Sequence, residues 1–279
     1  MKLSVYLKRM FRYIRYGQPT YYTTAEIKCM TPSEQLKGRK VLITGGGRGL
    51  GYFIAKKCIA EGAKVIIVGR NEQRLKQSVE ELGKNCKYLV CDVSNVEEIH
   101  KCIQKAEQIA EGKIDSLVSN AGVSLHEGSF RNVTEENWDI QLDTNLKGNY
   151  FIVKEFIKQL EKYEDKTGYI VVISSERAKR ADDISYGLTK VATNSFIQGF
   201  ASKVANENIR INGLAPGVTA SDMTGFDRNE NLYVDWQNGK RIFLPEEVAE
   251  VALFLLSDIS SCISGEIITC DKGNYISTW

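Results

Sequence analysis

Tyr186 and Lys190 are the residues of this sequence whose types and spacing point most directly to acid–base chemistry. They are four positions apart, so on a helix the phenol and the amine would share one face. A fixed cation beside a phenol can lower the phenol pKa from about 10 toward neutrality, and such a tyrosine can exchange a proton with a bound molecule. The pair therefore predicts a proton-transfer site.

The spacing alone does not select this pair, because Tyr-x-x-x-Lys occurs three times, beginning at Tyr52, Tyr150 and Tyr186. Only the third pair follows an apolar run that ends in two hydroxyl side chains, Ser174 and Ser175, with a polar loop between. We therefore place the predicted site at the third pair.

A glycine-rich run follows the first β-branched segment and precedes an apolar helical pattern that starts at Phe53. Glycines let the backbone approach a diphosphate closely, and the following helix places its positive end at the ligand. Glycine clusters also form ordinary turns, and the spacing here is GxxxGxG rather than GxGxxG. We interpret the run as a dinucleotide-binding turn, with contacts from Gly45, Gly47, Arg48, Gly49, Leu50 and Gly51.

Two arginines indicate which dinucleotide binds. The second predicted strand ends at Gly69 and Arg70, where an NAD site would offer a carboxylate to the ribose hydroxyls. Arg70 and Arg48 supply cations instead, and a guanidinium matches a phosphate in charge and in its forked donor geometry. We predict NADP(H) as the preferred cofactor and NAD(H) as the alternative. The competing interpretation is that both arginines only decorate loops, and Glu72 could partly neutralise them.

Short β-branched runs alternate with helical patterns from Lys40 onward. This alternation predicts βαβ units and an α/β fold of the Rossmann type, a doubly wound parallel sheet with helices on both faces. A late helix should run from Pro245 to about Leu256, because proline and acidic residues suit a first turn. The predicted strands lie at 41–44, 65–68, 88–90, 117–118, 169–174, 209–213 and 267–269.

The composition excludes several classes of protein. With 279 residues, 43% apolar and 26% charged, the chain is expected to be globular and not disordered or multi-spanning. Residues 1–40 carry nine basic and two acidic side chains, which leaves a net −5 for the remainder and disfavours nucleic-acid binding by the main body. Seven cysteines without a CxxC pair predict reduced thiols in a cytoplasmic protein, and two isolated histidines predict no metal site.

The first residues form a separate segment in this interpretation, with an arm over 1–38 and a single domain over 39–279. Residues 1–15 read as a basic amphipathic helix, with apolar and cationic side chains on opposite sides. This helix could make peripheral contact with an anionic membrane, or pack on its own domain or on a partner subunit. Its Arg-rich, acid-free character is also typical of an organellar transit peptide, although it contains little serine.

Together these motifs resemble the short-chain dehydrogenase/reductase family over about residues 38–275. The resemblance rests on several motifs in the family's order: Thr44 to Gly51 for TGxxxGxG, Asp92 with Val93 after strand three, Ser119, Asn120, Ala121 and Gly122 for NNAG, Asn145, Tyr186 with Lys190, Pro216 with Gly217, and Asp271 to Gly273 near the end.

The resemblance implies a role for each catalytic candidate. Tyr186 would be the acid in carbonyl reduction and the base in alcohol oxidation, and Ser175 would hydrogen-bond the substrate oxygen. Lys190 would bind the nicotinamide ribose and lower the tyrosine pKa, and Asn145 would hold a water-linked proton path. Ser174 remains the alternative to Ser175, because Tyr186 follows Ser175 by only 11 residues, fewer than is usual in the family.

The resemblance also implies the remaining cofactor contacts. Asp92 would bind the adenine amino group, with Val93 beside it, and Pro216 and Gly217 would form the turn next to the nicotinamide. The other residues expected at the cofactor are Asn120, Ala121, Gly122 and Thr219.

The segment 220–244 should form the substrate lid, and its many charged residues favour a polar carbonyl or alcohol, such as a sugar, a polyol or a carrier-bound acyl group. For His126 an ordinary surface-loop position is favoured over a place in the substrate pocket. Helices over about 134–163 and 184–206 correspond to the family's subunit interface, which implies a homodimer or homotetramer. The alternative function is a catalytically silent nucleotide-binding scaffold of the same fold.

Overall fold

A computed structural model describes residues 10–11, 14–15, 21–25 and 33–275. Its centre is one sheet of seven parallel strands in the order β3-β2-β1-β4-β5-β6-β7. The predicted doubly wound sheet is therefore confirmed. The strands are β1 (Lys40–Thr44), β2 (Lys64–Gly69), β3 (Cys86–Val90), β4 (Ser116–Ser119), β5 (Gly168–Ile173), β6 (Ile209–Pro216) and β7 (Ile267–Cys270).

Helices cover both faces of the sheet, which explains why the strands are continuous apolar runs. The helices are α1 (Gly49–Ala60), α2 (Glu72–Leu82), α3 (Val96–Ala110), α4 (Glu135–Gln141), α5 (Asn149–Leu160), α6 (Ser185–Lys203) and α7 (Pro245–Leu256). One buried cluster joins α3, α5 and α6 to one face, and a second joins α1, α2 and α7 to the other. A π-helical stretch, Leu142–Gly148, connects α4 to α5.

The helices differ in whether a side chain caps their first turn, and this difference affects the site. Asn71, Asn95 and Thr134 cap α2, α3 and α4, because each side chain accepts a hydrogen bond from a backbone N–H of the first turn. Helix α1 begins after Arg48 with no side-chain cap and no acidic residue in its first turn. Its first-turn N–H groups and positive dipole end are therefore left for a ligand at the carboxyl edge of the sheet.

The segment before β1 is attached to the domain. Leu36 is fully buried in the α1, α2 and α7 cluster, and its N–H donates to the Glu61 carbonyl at 2.9 Å. The Glu61 carboxylate accepts the Ser33 N–H at 3.0 Å. The boundary at residue 38 and the single domain over 39–279 stay predictions.

The predicted amphipathic helix over residues 1–15 lies mostly outside the described residues. Within it, Met10, Phe11 and Ile14 are described, as exposed helical residues. In the described ranges, no helix has the length and apolar character needed to cross a membrane. Among these same residues no His, Cys, Asp or Glu cluster could hold a metal ion, and the cysteines there are free thiols.

The lid predicted over 220–244 packs on itself and on the chain's N-terminal segment. Its aliphatic side chains form a small buried cluster of Ala220, Leu232, Val234, Ile242 and Leu244. Residues 21–25 lie across this cluster, because Tyr21 stacks on Tyr233 at 5.2 Å between ring centroids and the Thr23 N–H donates to Asn231 at 3.1 Å. The lid's apolar residues thus stabilise the lid itself.

Candidate active site

A cavity of about 800 Å³ opens at the carboxyl ends of the strands, where the sheet order diverges between β1 and β4. This edge is where open α/β sheets bind ligands. The cavity has room for a dinucleotide and a small substrate. The predicted residues that line it are Gly45, Gly47, Arg48, Gly49, Leu50, Arg70, Asp92, Val93, Asn120, Ala121, Gly122, Ser175, Tyr186, Lys190, Pro216, Gly217 and Thr219.

Two predicted residues, Gly51 and Asn145, do not line the cavity. Gly51 instead permits close packing under the turn, since a Cβ there would lie 2.5 Å from the Gly45 carbonyl oxygen. Gly45 has a positive φ of 65°, a conformation that favours glycine. The glycines thus shape the turn and leave the uncapped start of α1 facing the cavity, an arrangement that suits a diphosphate.

Thr44 ties the two halves of the crevice together. Its hydroxyl accepts the backbone N–H groups of Asn120 and Ala121, both at 3.0 Å. The Asn120 amide returns hydrogen bonds to the carbonyls of Thr44 and Gly45, at 3.0 and 3.2 Å. These bonds fix the ends of β1 and β4 relative to each other, so the glycine turn and the loop after β4 have one geometry.

The cations at the predicted adenosine end of the cavity are paired with acidic residues. Arg48 lies 3.2 Å from the Asp222 carboxylate, and Arg70 lies 3.7 Å from that of Asp92. Glu72, which was considered as a residue that could partly neutralise them, instead lies 3.0 Å from the Lys76 amine.

Arg74 is a third cation at this end, and the sequence analysis missed it. It lines the cavity, and its Nε donates to the Gly47 carbonyl at 3.3 Å. The available signal was its position three residues after the α2 cap, Asn71. Arg74 therefore belongs with Arg48 and Arg70 as a candidate phosphate contact.

The two serines after β5 face different surroundings. The Ser174 hydroxyl donates to Asn194 at 2.6 Å, inside the domain. Ser175 lines the cavity, accepts the Arg177 N–H at 3.2 Å, and hydrogen-bonds Tyr186 in a way that lowers the tyrosine pKa. Both serines line the cavity, and Ser175 is the one that hydrogen-bonds Tyr186.

A bidentate ion pair spans the short loop between Ser175 and Tyr186. The Arg177 guanidinium contacts both oxygens of Asp182, at 2.5 and 2.7 Å. Two nitrogen–oxygen contacts in a fork hold geometry better than a single contact does. The pair explains how a gap of 11 residues still brings Ser175 to Tyr186.

Lys190 is buried at the base of the cavity, with 4% of its surface exposed. Its Nζ donates to the Ile173 carbonyl at 2.9 Å and lies 5.7 Å from the Tyr186 ring centroid. Burial lowers the Lys190 pKa to about 8 because the charged form loses its hydration. The amine therefore faces a site where hydroxyl groups of a ligand could replace water.

The prediction of a lowered Tyr186 pKa is contradicted. Burial raises the pKa of this phenol above its usual value, and the contributions that lower it come from the Ser175 hydrogen bond and the Arg177 charge. Lys190 is itself desolvated, and its amine donates a hydrogen bond to the Ile173 carbonyl. In the cofactor-free protein the cation therefore does not set the tyrosine pKa as the spacing predicted.

Asn145 is fully buried in the π-helical stretch. Its side chain accepts the Val123 N–H at 2.7 Å and donates to the Val123 carbonyl at 2.8 Å. These bonds brace the loop after β4 against the helix. The role of Asn145 in a water-linked proton path stays a prediction.

His126 combines the two interpretations weighed for it. It is an exposed loop residue, and it also lines the cavity. Its Nε2 lies 2.7 Å from the Met223 carbonyl oxygen of the lid. The lid also places Met223, Phe226 and Trp236 on the cavity wall, so that wall is less polar than the lid's composition predicted.

Glu176 is the second residue that the sequence analysis missed. It follows Ser175, lines the cavity and is 4% exposed. Burial raises the Glu176 pKa to about 7, because the charged form is desolvated. A glutamate in a polar loop gives no sequence signal of burial, so only the fold shows this carboxyl group in the site.

Replacing Lys190 by methionine should change the pH dependence of stability. The lysine pKa is about 8 in the folded protein and 10.5 when unperturbed, so between these values the unfolded chain binds more protons. Stability therefore rises with pH across this window. Methionine does not titrate, so the unfolding free energy of wild type minus that of Lys190→Met should rise by about 2 to 3 kcal/mol. Urea unfolding of both proteins at several pH values measures it, and a flat difference would contradict the desolvation of Lys190.

Comparisons with known proteins show what the chain as a whole is similar to. A family model described as Enoyl-(Acyl carrier protein) reductase matches residues 45–274. The 3-oxoacyl-(acyl-carrier-protein) reductase FabG of Chlamydia pneumoniae is 35% identical over 246 residues, which are 85% of this chain and 97% of that protein. The human dehydrogenase/reductase SDR family member 4 is 32% identical over 253 residues, which are 88% of this chain and 90% of that protein.

A solved structure shows the same fold. It is the 3-ketoacyl-(acyl-carrier-protein) reductase from Brucella melitensis complexed with NADH, with a TM-score of 0.80 and 27% identity, covering 86% of this chain and 100% of that chain. The motifs, the sheet order and these relatives agree with one another. The chain therefore belongs to the short-chain dehydrogenase/reductase family, whose members are NAD(P)-dependent enzymes that interconvert carbonyl and alcohol groups.

Proposed function

We propose that this protein is an NADP(H)-dependent oxidoreductase that interconverts a carbonyl and an alcohol on a polar small molecule, with Tyr186 as acid and base. The observation that carries the proposal is that Ser175, Tyr186 and Lys190 line one cavity together with the glycine turn. A pure nucleotide-binding scaffold would not need a hydroxyl, a phenol and a buried amine at one end of that cavity.

The residues divide the chemistry as follows. When bound, the nicotinamide supplies a hydride to the carbonyl carbon. Ser175 donates a hydrogen bond to the carbonyl oxygen and stabilises the negative charge that develops there. Tyr186 transfers its phenolic proton to the same oxygen, which completes the alcohol, and Lys190 stabilises the phenolate that remains. In oxidation each transfer runs in reverse.

The raised pKa of Tyr186 is compatible with these proton-transfer steps once a ligand is bound. In the cofactor-free protein, burial holds the Tyr186 proton in place. A nicotinamide ribose bonded to the Lys190 amine would keep that amine charged beside the phenol. With the ribose bound there, Lys190 and Tyr186 would act together as an acid–base pair.

Arginines at the adenosine end support the preference for NADP(H). Arg48, Arg70 and Arg74 line this part of the cavity, and their carboxylate partners Asp92 and Asp222 are partly exposed. A ribose phosphate would offer the guanidinium groups a doubly charged partner in place of these carboxylates. NAD(H) lacks that phosphate and is the weaker alternative.

The substrate is proposed to be a polar carbonyl or alcohol, with a sugar, a polyol or a carrier-bound acyl group as candidates. The name of the Chlamydia relative supports an acyl group on a carrier protein. The cavity wall offers both apolar surface, from Phe226 and Trp236, and polar groups, from Glu176 and Arg177.

We also propose that the protein is cytoplasmic and that it acts as a homodimer or homotetramer. No nucleic-acid partner is proposed. Residues 1–15 are proposed to touch a membrane surface, and the exposed Met10, Phe11 and Ile14 support apolar contact there.

Substitutions at the hydroxyl groups test the catalytic assignment. Tyr186→Phe should lower kcat for ketone reduction by about 100- to 10,000-fold, the usual contribution of a general acid. Ser175→Ala should lower it by about 100- to 1,000-fold. Ser174→Ala is the matched control and should retain kcat within a few-fold, because that hydroxyl bonds Asn194. Nicotinamide absorbance measures all three, and a Tyr186→Phe enzyme as fast as wild type would favour the scaffold alternative.

Replacing Arg70 tests the cofactor preference. Arg70→Asp should lower kcat/KM for NADPH by about 10- to 100-fold relative to that for NADH, because a charge-assisted contact to the phosphate is lost. Lys84→Asp is the control, an exposed change of charge outside the cavity. An unchanged NADPH to NADH ratio in Arg70→Asp would remove Arg70 from the phosphate site.

A substitution among the exposed apolar side chains of α5 and α6 tests the proposed subunit interface. Tyr150, Leu188 and Val191 are 37%, 41% and 44% exposed, next to the partly buried Phe196 and Phe200. Val191→Glu should shift the protein to a smaller species in light scattering, because a charge would be buried at the interface. A wild-type protein that is monomeric at micromolar concentration would contradict the proposed oligomer.

A further inference from the structure

The carboxyl group of Glu176 lies where three neighbouring strands end. Glu176 follows β5, Gly217 follows β6 and Asp271 follows β7. A Cβ added to Gly217 would lie 3.1 Å from Glu176 Oε2, so the carboxyl group rests against the turn after β6. The same residue directly follows Ser175, the serine that contacts Tyr186.

One oxygen of this carboxyl group is unpartnered. Oε2 is buried and has no hydrogen-bond partner among the residues that the structure describes. The side chain of Asn274 hydrogen-bonds the group, and the charges of Arg177 and Arg180 act on it from its own loop. A buried polar atom without a partner is unfavourable, and because Glu176 lines the cavity, a ligand bound there could supply the partner.

The charges around Glu176 do not provide that partner. Asp271 is buried beside it and raises the Glu176 pKa by repulsion, and Glu176 in turn raises the Tyr186 pKa. The carboxyl group is thus coupled electrostatically to the phenol. Glu176 and Tyr186 also line the same cavity.

We propose that Glu176 binds the substrate through a hydroxyl group on the carbon next to the reacting carbonyl, and so makes α-hydroxy ketones and vicinal diols the favoured substrate class. The proposal rests on the proposed oxidoreductase function, since it assigns the second polar contact of the same site. Ser175 and Tyr186 bind the reacting oxygen, and Glu176 binds the neighbouring one.

A hydroxyl group fits better than the other partners. With a pKa of about 7, Glu176 is present in both protonation states near neutral pH. A hydroxyl group donates to the carboxylate and accepts from the carboxylic acid, so it pairs with either state. A thioester carbonyl pairs only with the acid, and an ammonium group only with the carboxylate.

Matched ketones test the proposal. Wild-type protein with NADPH should reduce acetoin with a kcat/KM at least about tenfold above that for butanone, and hydroxyacetone should exceed acetone likewise. Glu176→Leu should lower both ratios by about tenfold, because leucine cannot hydrogen-bond. Glu176→Gln should keep most of the preference, since an amide both donates and accepts. Glu164→Leu, an exposed change at the opposite edge of the sheet, should leave the ratios unaltered.

Three results would overturn the proposal: equal ratios in wild type and Glu176→Leu, a wild-type enzyme that prefers butanone to acetoin, or a loss in Glu176→Leu confined to an acetoacetyl thioester. Tyr186→Phe separates this proposal from the catalytic one. It should lower kcat for both ketones in each pair by about 100- to 10,000-fold, whereas Glu176→Leu changes their ratio. If Tyr186→Phe causes this loss and the ratio is unchanged in Glu176→Leu, only the assignment of Glu176 fails.

Discussion

The ammonium group of Lys190 lies below the crevice, out of contact with bulk water, with the Ile173 carbonyl as its protein hydrogen-bond acceptor in the described chain. An amine in that position is destabilised as a cation, which is why its pKa falls to about 8. Hydroxyl groups of a bound ligand would give the ammonium group the hydrogen-bond acceptors that it lost when it was buried away from water. The crevice therefore has to bury this amine and still leave it on the cavity wall, where a ligand can contact it.

Several elements keep the amine there. Strand β5 supplies the carbonyl acceptor, and helix α6 holds the lysine one turn beyond Tyr186. Gly122 lets the loop after β4 lie close to Asn145, since a Cβ on this residue would lie 3.3 Å from the Asn145 side-chain oxygen. Thr44 fixes the loop that carries Gly122 by bonding the two N–H groups before it. A mobile loop at this point would open the amine to water and remove the effect of burial.

The sequence was sufficient for the fold and for most of the cavity lining. Runs of β-branched residues and glycine turns are local signals, and the strands and helices they predicted are present. Pairings between distant residues had no such signal. The acidic partners of Arg48 and Arg70 come from the lid and from the loop after β3, and nothing near Glu176 in the sequence marks it as buried.

The choice between Ser174 and Ser175 shows the same limit. The spacing to Tyr186 left it open, and the hydrogen-bond partners distinguish the two hydroxyls, since Ser174 donates to Asn194 and Ser175 hydrogen-bonds Tyr186. Tyr186 and Lys190 line one cavity, as their spacing predicted, but the pKa of the phenol is raised and not lowered. Spacing gives proximity along a helix, but it does not give the burial that opposes the charge.

Calorimetric titration of NADPH tests most directly whether the buried Lys190 amine binds the cofactor. The wild-type protein should bind about one NADPH per chain, with Kd in the micromolar range. Lys190→Met should bind it at least about tenfold more weakly, because the ribose loses a charged donor. Equal affinities for the two proteins, or no binding by wild type, would contradict the account.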